Sequence, residues 1–272
     1  MKKTQISILG CGWLGLALAK NFIAQHYKVK GSTTSQDKVA TLQEAGIQPY
    51  VFTLGTTNDA TLFADFLANS DVVVINFPPK RVADIVNMYQ EQIRAILPFI
   101  KAEQKVVFVS STSVYQNTND WVSEELENHP EKESGKAVFA AENLLRSTLQ
   151  NRLTILRFAG LFGYDRVPGR FLANKKELSN GNAPVNMIHQ DDCIGLIMTV
   201  IKRKAWGEII NGCSDVHPLR KRFYVLAAKK LGLTPPEFKK EDSVSFKKVS
   251  NIKSKMLLHY TYKRPNPLVF VM

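Results

Sequence analysis

Residues 5–15 read Q-I-S-I-L-G-C-G-W-L-G, and their order decides the fold. Ile6–Leu9 is an apolar run of strand length that passes directly into glycines at 10, 12 and 15. Leu14, Leu18, Phe22 and Ile23 then recur on one helical face. In a strand–turn–helix of this kind Gly10 permits the tight turn, Gly12 lets a pyrophosphate reach the backbone, and Gly15 lets the helix lie close to the strand. The helix start offers free N–H groups and a positive dipole end to the phosphates. The loop therefore predicts a dinucleotide site at Gly10, Gly12, Trp13, Leu14 and Gly15, with NADP or NAD as the cofactor. The alternative is a purely structural glycine turn.

Further apolar runs of strand length stand at Tyr27–Lys30, Val72–Ile75, Val106–Val109 and Leu153–Leu156. Most are continuous rather than alternating, as in strands buried on both faces of a parallel sheet. Helical faces lie between them, one through Val82, Ile85, Val86, Tyr89, Ile93, Ile96 and Leu97, another through Ala137, Ala141, Leu144, Leu145, Thr148 and Leu149. This alternation predicts an α/β fold: a Rossmann-type doubly wound parallel sheet with a small C-terminal substrate lobe. The expected division is 1–160 for the NAD(P)-binding domain and 161–272 for the lobe, interleaved with the last sheet elements at about 186–213. A helix is expected at about 190–203, a strand at Glu208–Asn211 and a helix at Phe223–Leu231, with irregular basic sequence after it.

The second strand is expected to end at Lys30–Gly31. An NAD site usually carries an acid about 20 residues after the glycine motif to hold the ribose 2′-OH. Here G-S-T-T-S-Q-D-K follows. The hydroxyls of Ser32, Thr33 and Thr34 and the charge of Lys38 suit a 2′-phosphate, so NADP is preferred; Asp37 remains as a ribose ligand for NAD. Asn76, Phe77 and Pro78 end the D-V-V-V-I-N-F-P-P strand on the cofactor side, where a Pro-Pro turn would also end it.

The chain carries 36 basic and 24 acidic residues, for a net charge of +12. The excess lies between Lys202 and Arg264. Such a field favours anions, but no nucleic-acid motif and no interleaved aromatics accompany it, so no nucleic-acid partner is expected. Cys11, Cys193 and Cys213 have no metal or redox spacing; they read as buried fillers in a reducing cytoplasm, and no metal is expected. Lys2 and Lys3 before an apolar run would suit a signal peptide, but the glycines interrupt the run and no A-x-A-like site follows, so it reads as a strand. No stretch reaches the roughly 18 apolar residues that a membrane span needs.

Four signals now stand in order: G-C-G-W-L-G, V-I-N-F-P-P, V-V-F-V-S-S-T-S-V-Y, and L-R-F-A-G-L-F-G followed by N-M-I-H-Q-D-D-C. Together they resemble the extended short-chain dehydrogenase/reductase family, the NAD-dependent epimerases and dehydratases, over nearly the whole chain. The late strings N-G-C-S-D-V-H-P and V-S-N-I-K resemble its atypical subgroup. The resemblance implies that Ser111, four residues before Tyr115, polarises the substrate, with Thr112 beside it and Ser110 on the cofactor side; a hydroxyl cluster capping its own backbone is the other reading. The family's proton-transfer pair is Tyr-x-x-x-Lys. Aligned on the string A-E-N-L-L and Glu142, those positions hold Ser134 and Val138. Val138 cannot carry charge, and the Ser134 alcohol is a poor proton carrier without a base. Lys136 is turned about 200° from the family position on a helix. Tyr115 is the remaining catalytic candidate.

Arg157, Arg166 and Arg170 are candidates for binding an anionic substrate bidentately, or for capping helices and pairing with surface acids. His189 is a candidate at the substrate edge, and Asp192 matches the family's lobe anchor. Two functions stay open. One is an NAD(P)-dependent epimerase, dehydratase or reductase acting on a small anionic, nucleotide-sugar-like molecule; the other is a degenerate NADP-binding sensor or scaffold. A monomer or homodimer is expected.

Overall fold

β1 (Gln5–Leu9) is buried along all but its first residue, and α1 (Trp13–Ala24) turns Leu14, Gly15, Leu18, Ala19 and Phe22 inward behind it. The computed structural model describes residues 4–55, 60–240 and 243–272. Lys2 and Lys3, weighed above as a leader-like start, lie outside them. The chain continues through β2 (Lys28–Thr33), α2 (Val39–Glu44), β3 (Gln48–Val51), α3 (Ala60–Leu67), β4 (Val72–Ile75), α4 (Ile85–Ile96) and β5 (Lys105–Ser111). β6 (Trp121–Val122) precedes the long α5 (Glu133–Leu149), which leads into β7 (Leu153–Phe158). Then follow β8 (Gly160–Phe162), α6 (Gly169–Leu172), β9 (Met187–His189), α7 (Gln190–Arg203) and β10 (Ile209–Gly212). The last elements are α8 (Arg220–Lys230), β11 (Lys248–Val249), α9 (Ile252–Leu258) and α10 (Pro267–Val271).

Seven strands form one sheet in the order β10-β7-β5-β4-β1-β2-β3. The pairings of β1 with β2 and β4, of β2 with β3 and of β4 with β5 are parallel. The fold is the Rossmann-type α/β sheet expected, flanked by helices. The order reverses between β1 and β4, and loops at such a switch point open a crevice at the carboxyl ends of the strands.

The chain divides into two compact units. Unit 1 comprises Met1–Val114, Pro130–Leu156 and Val200–Ile209; unit 2 comprises Tyr115–His129, Arg157–Thr199 and Ile210–Met272. In unit 1, Ile155 N–H donates to Glu208 O and Gly207 N–H to Leu153 O, so the late segment is stitched to β7. Unit 2 has its own core of Phe162, Val185, Met187, Phe223, Ala227, Leu268 and Val271.

Several local expectations need correction. β2 runs on to Thr33, so Ser32 and Thr33 belong to a buried strand rather than to a loop. Val82 lies before α4 and is exposed. The tail after α8 is not irregular: β11, α9 and α10 are held by tertiary bonds. The Asn251 side chain donates to Cys213 O (2.7 Å) and to Asp215 Oδ1 (2.6 Å), tying the V-S-N-I-K string to N-G-C-S-D. Asp192 accepts from the Lys263 and Arg264 N–H groups and the Tyr260 hydroxyl at 2.7–3.0 Å.

Candidate functional site

The loops after β1 to β4 line a cavity of about 310 Å³ in unit 1. Its wall takes Leu9, Gly10, Cys11 and Gly12 from β1 and its turn, and Ser32, Thr33, Thr34 and Lys38 from the β2 end and beyond. Phe52, Thr53 and Leu54 come from the segment after β3, and Asn76, Phe77, Pro78 and Lys80 from that after β4. Gln92 of α4 completes it. Phe52, Thr53, Leu54, Lys80 and Gln92 were not singled out in the sequence. For the first three the signal was topological: once a third strand is placed, its carboxyl end must open into the same crevice.

The glycine turn is built by its neighbours. Gly10 has φ +96°, a region that a side chain strains, and a Cβ there would lie 2.7 Å from Asn76 O. Asn76 Nδ2 donates to Gly10 O at 3.0 Å, and Gly10 N–H donates to Ser32 Oγ at 2.9 Å. A Cβ at Gly15 would lie 2.1 Å from Gly10 O, so α1 lies against the turn only because Gly15 has no side chain. Gly12 differs. A Cβ there meets nothing within 4 Å, and its φ of −80° is open to any residue. Nothing in the protein requires a glycine at 12, whereas a pyrophosphate lying on the backbone would. The start of α1 has no side-chain cap and no acid in its first turn, as an anion-binding helix start needs. The residues present fit a dinucleotide.

The hydroxyls divide. Ser32 is used on Gly10, and Thr33 Oγ1 accepts from Ser35 N–H at 3.2 Å. Thr34 and Lys38 are exposed. Among the described residues, no acidic side chain lines the cavity. Cys11 is buried and its thiol is pushed up to about 12 by desolvation, which makes it a filler rather than a nucleophile. Burial likewise raises Cys193 and Cys213.

Also in unit 1, the buried Ser110 hydroxyl donates to Glu142 Oε1, so Glu142 of α5 braces the end of β5. Ser111 Oγ accepts from Ser113 N–H at 3.1 Å, and Thr112 is buried. At the family's proton-transfer positions, Ser134 is exposed and Val138 is buried. α5 already begins at Glu133, which places Lys136 on the solvent side, where it pairs with Glu133 at 2.7 Å.

Tyr115, Arg157, Arg166, Arg170 and His189 fall in unit 2. Tyr115 and Arg157 are almost wholly buried and hold each other: Arg157 Nη1 donates to the Tyr115 hydroxyl (2.9 Å), which donates to Asn211 Oδ1 (2.9 Å). The guanidinium lies 5.0 Å from the Tyr115 ring centre. Desolvation raises the Tyr115 pKa despite Arg157, and it raises that of Glu124, whose carboxylate accepts from Asn211 N–H at 2.7 Å. Arg166 and Arg170 are exposed; Arg166 Nε donates to Leu161 O at 3.0 Å. His189 is fully buried among Phe162, Tyr164 and Phe270, and its Nδ1 accepts from Asp191 N–H at 3.1 Å.

The chain is 34% identical to the Escherichia coli (strain K12) protein YeeZ over 277 residues, covering 99% of this chain and 98% of that one. It belongs to the YeeZ family, and its structural neighbours are NAD-dependent epimerase/dehydratase and short-chain dehydrogenase/reductase proteins. Residues 5–97 match the family model of NADP oxidoreductases, coenzyme F420-dependent. A Methylobacillus flagellatus structure described only provisionally as an NAD-dependent epimerase/dehydratase is 25% identical, with TM-score 0.77, covering 98% of this chain and 96% of that one. A Bacillus cereus UDP-glucuronic acid 4-epimerase, solved with UDP-glucuronic acid and NAD, is 20% identical, with TM-score 0.76 and coverage of 96% and 94%; it shows the fold alone. The chain thus has an NAD(P)-binding Rossmann fold like those of oxidoreductases and epimerases.

Proposed function

We propose that this protein binds NADP in preference to NAD in the unit 1 cavity and oxidises, reduces or epimerises a small polar anion of the nucleotide-sugar kind. The observation that carries the reading is Gly12, whose missing side chain the protein itself does not require. Lys38, Lys80 and Thr34 on the cavity wall, with no acid among the described lining residues, support a 2′-phosphate. The nicotinamide supplies hydride transfer; the protein binds, orients and handles protons. Ser111 retains its hydroxyl proton after accepting from Ser113, and so remains a donor for a substrate oxygen. The substrate class is taken from the ligands of the structural neighbours.

One observation favours a second reading, a dinucleotide sensor without turnover: Val138 is buried at the lysine position and Lys136 is turned to Glu133. Calorimetric titration with NADPH and NADH, followed by turnover against UDP-sugars and small carbonyl compounds, separates the two. Tighter binding of NADPH together with turnover that Ser111→Ala abolishes is the expected result. Tight NADPH binding without turnover selects the sensor, and tighter NADH binding overturns the 2′-phosphate assignment.

A further inference from the structure

Unit 2 contains a second cavity, of about 370 Å³, that the dinucleotide reading leaves unused. The end of α8, residues 263–266, α10 and the Val167–Gly169 segment enclose it. Its volume lies in the range of small-molecule sites. The apolar wall includes Ala227, Leu231, Val269 and Phe270, of which Val269 is 67% exposed. The wall is firmly built: a Cβ at Gly169 would lie 2.2 Å from Ala227 O, so α6 and α8 are in closest contact beneath it.

The charged lining is of one sign. Lys230, Lys263 and Arg264 line the cavity, and among the described residues no acid does. Lys230 is held in place: its Nζ donates to Phe270 O at 2.8 Å, leaving two ammonium protons. The backbone of Lys263 is fixed by the buried Asp192 while its side chain stays exposed. Arg264 is partly offset by Asp191 at 3.4 Å, which is not a lining residue.

We propose that this cavity binds a small amphipathic anion, an aromatic or short acyl carboxylate or sulfonate. Its apolar body covers Leu231, Val269 and Phe270, and its charge meets Lys263, Lys230 and Arg264. An inorganic anion would leave the apolar wall wet, and a neutral apolar molecule would leave Lys263 without a counter-charge and Lys230 and Arg264 only partly answered.

The test uses the full chain, with 8-anilinonaphthalene-1-sulfonate as the fluorescent probe and saturating NADPH present to occupy unit 1. A saturable site surviving NADPH is expected, with decanoate displacing the probe and inorganic phosphate not. Lys263→Glu and Val269→Glu, both at exposed positions, are each expected to weaken the probe by roughly fivefold or more at unchanged melting temperature. Complete displacement by NADPH, or unchanged binding in both variants, overturns the proposal. The two variants report on this site whether or not NADPH binds.

Discussion

Gly12 and Gly15 lie three residues apart and answer to different forces. At Gly15 a methyl group would run into Gly10 O, so Gly15→Ala is expected to cost about 2 kcal/mol of stability in denaturant unfolding. At Gly12 the space is empty, so Gly12→Val is expected to cost no more than about 1 kcal/mol, the preference of the α1 N-cap for glycine over valine, while weakening NADPH binding by at least about tenfold, one good contact or more. Equal loss of stability in both variants would return the loop to a structural turn. Two histidines of unit 2, His189 buried and His217 half-buried, set a pH dependence. His189 and His217 have lowered pKa values, desolvation being the first cause for each. A base with a depressed folded pKa stabilises above its unfolded value near 6.5, and that contribution is lost as pH falls through the folded value. Stability is therefore expected to drop on acidification below about 6.5, by up to about 1.4 kcal/mol per pH unit for each histidine. His189→Asn, whose Oδ1 can take the Asp191 N–H, is expected to remove its share of the slope in melts from pH 8 to 5. The carboxyls of buried Asp192 and half-buried Glu124 act with the opposite sign, because desolvation raises them: their contribution is present at low pH and is lost as pH rises through the folded values.

At the scale of elements, the reading from periodicity succeeded where an element is long or buried on both faces. β1, β4, β5 and β7 are built around mostly apolar, buried runs, and α1, α4, α5 and α7 each bury a stripe. β3 escaped notice because Gln48–Val51 is short, carries Pro49 and is the edge strand, with only Tyr50 deeply buried. Edge strands tolerate proline and need no apolar run. α9 and α10 escaped because helices of seven and five residues are too short to show a period; their anchors are single polar residues far away in sequence. The clearest such anchor is Asp192 on α7. Asp192→Ala would strand the Tyr260 hydroxyl and two backbone N–H groups, and is expected to cost about 3 kcal/mol. Hydrogen exchange should then rise selectively at 260–264; uniform exchange would show that the anchor is not local.

At the scale of the whole molecule, each unit is assembled from three separated stretches of chain. Unit 1 therefore cannot be cut out as 1–160. Such a fragment lacks Ala205, Gly207 and Glu208, which are bonded to Thr154, Leu153 and Ile155, and it exposes β7 as a new edge, which invites aggregation. The 1–160 fragment is expected to be protease-sensitive and aggregation-prone, whereas the full chain resists limited proteolysis; a stable, NADPH-binding 1–160 would contradict this.

The sequence by itself determined the α/β alternation, the glycine turn and the absence of a Tyr-x-x-x-Lys pair, because each is written in residues adjacent in the chain or one helical turn apart. Only the tertiary structure decided what those residues are used for. Ser32 and Thr33 looked like ligands and are partly spent on backbone N–H groups, since β2 extends through them. Tyr115, Arg157 and Asn211, 42 to 96 residues apart, form one buried network. The basic tail, expected as irregular sequence, folds against Asp192 and gathers three of its cations around one cavity. Local pattern records backbone preference and burial; the partners of a buried polar group are chosen by long-range packing, which no local pattern encodes.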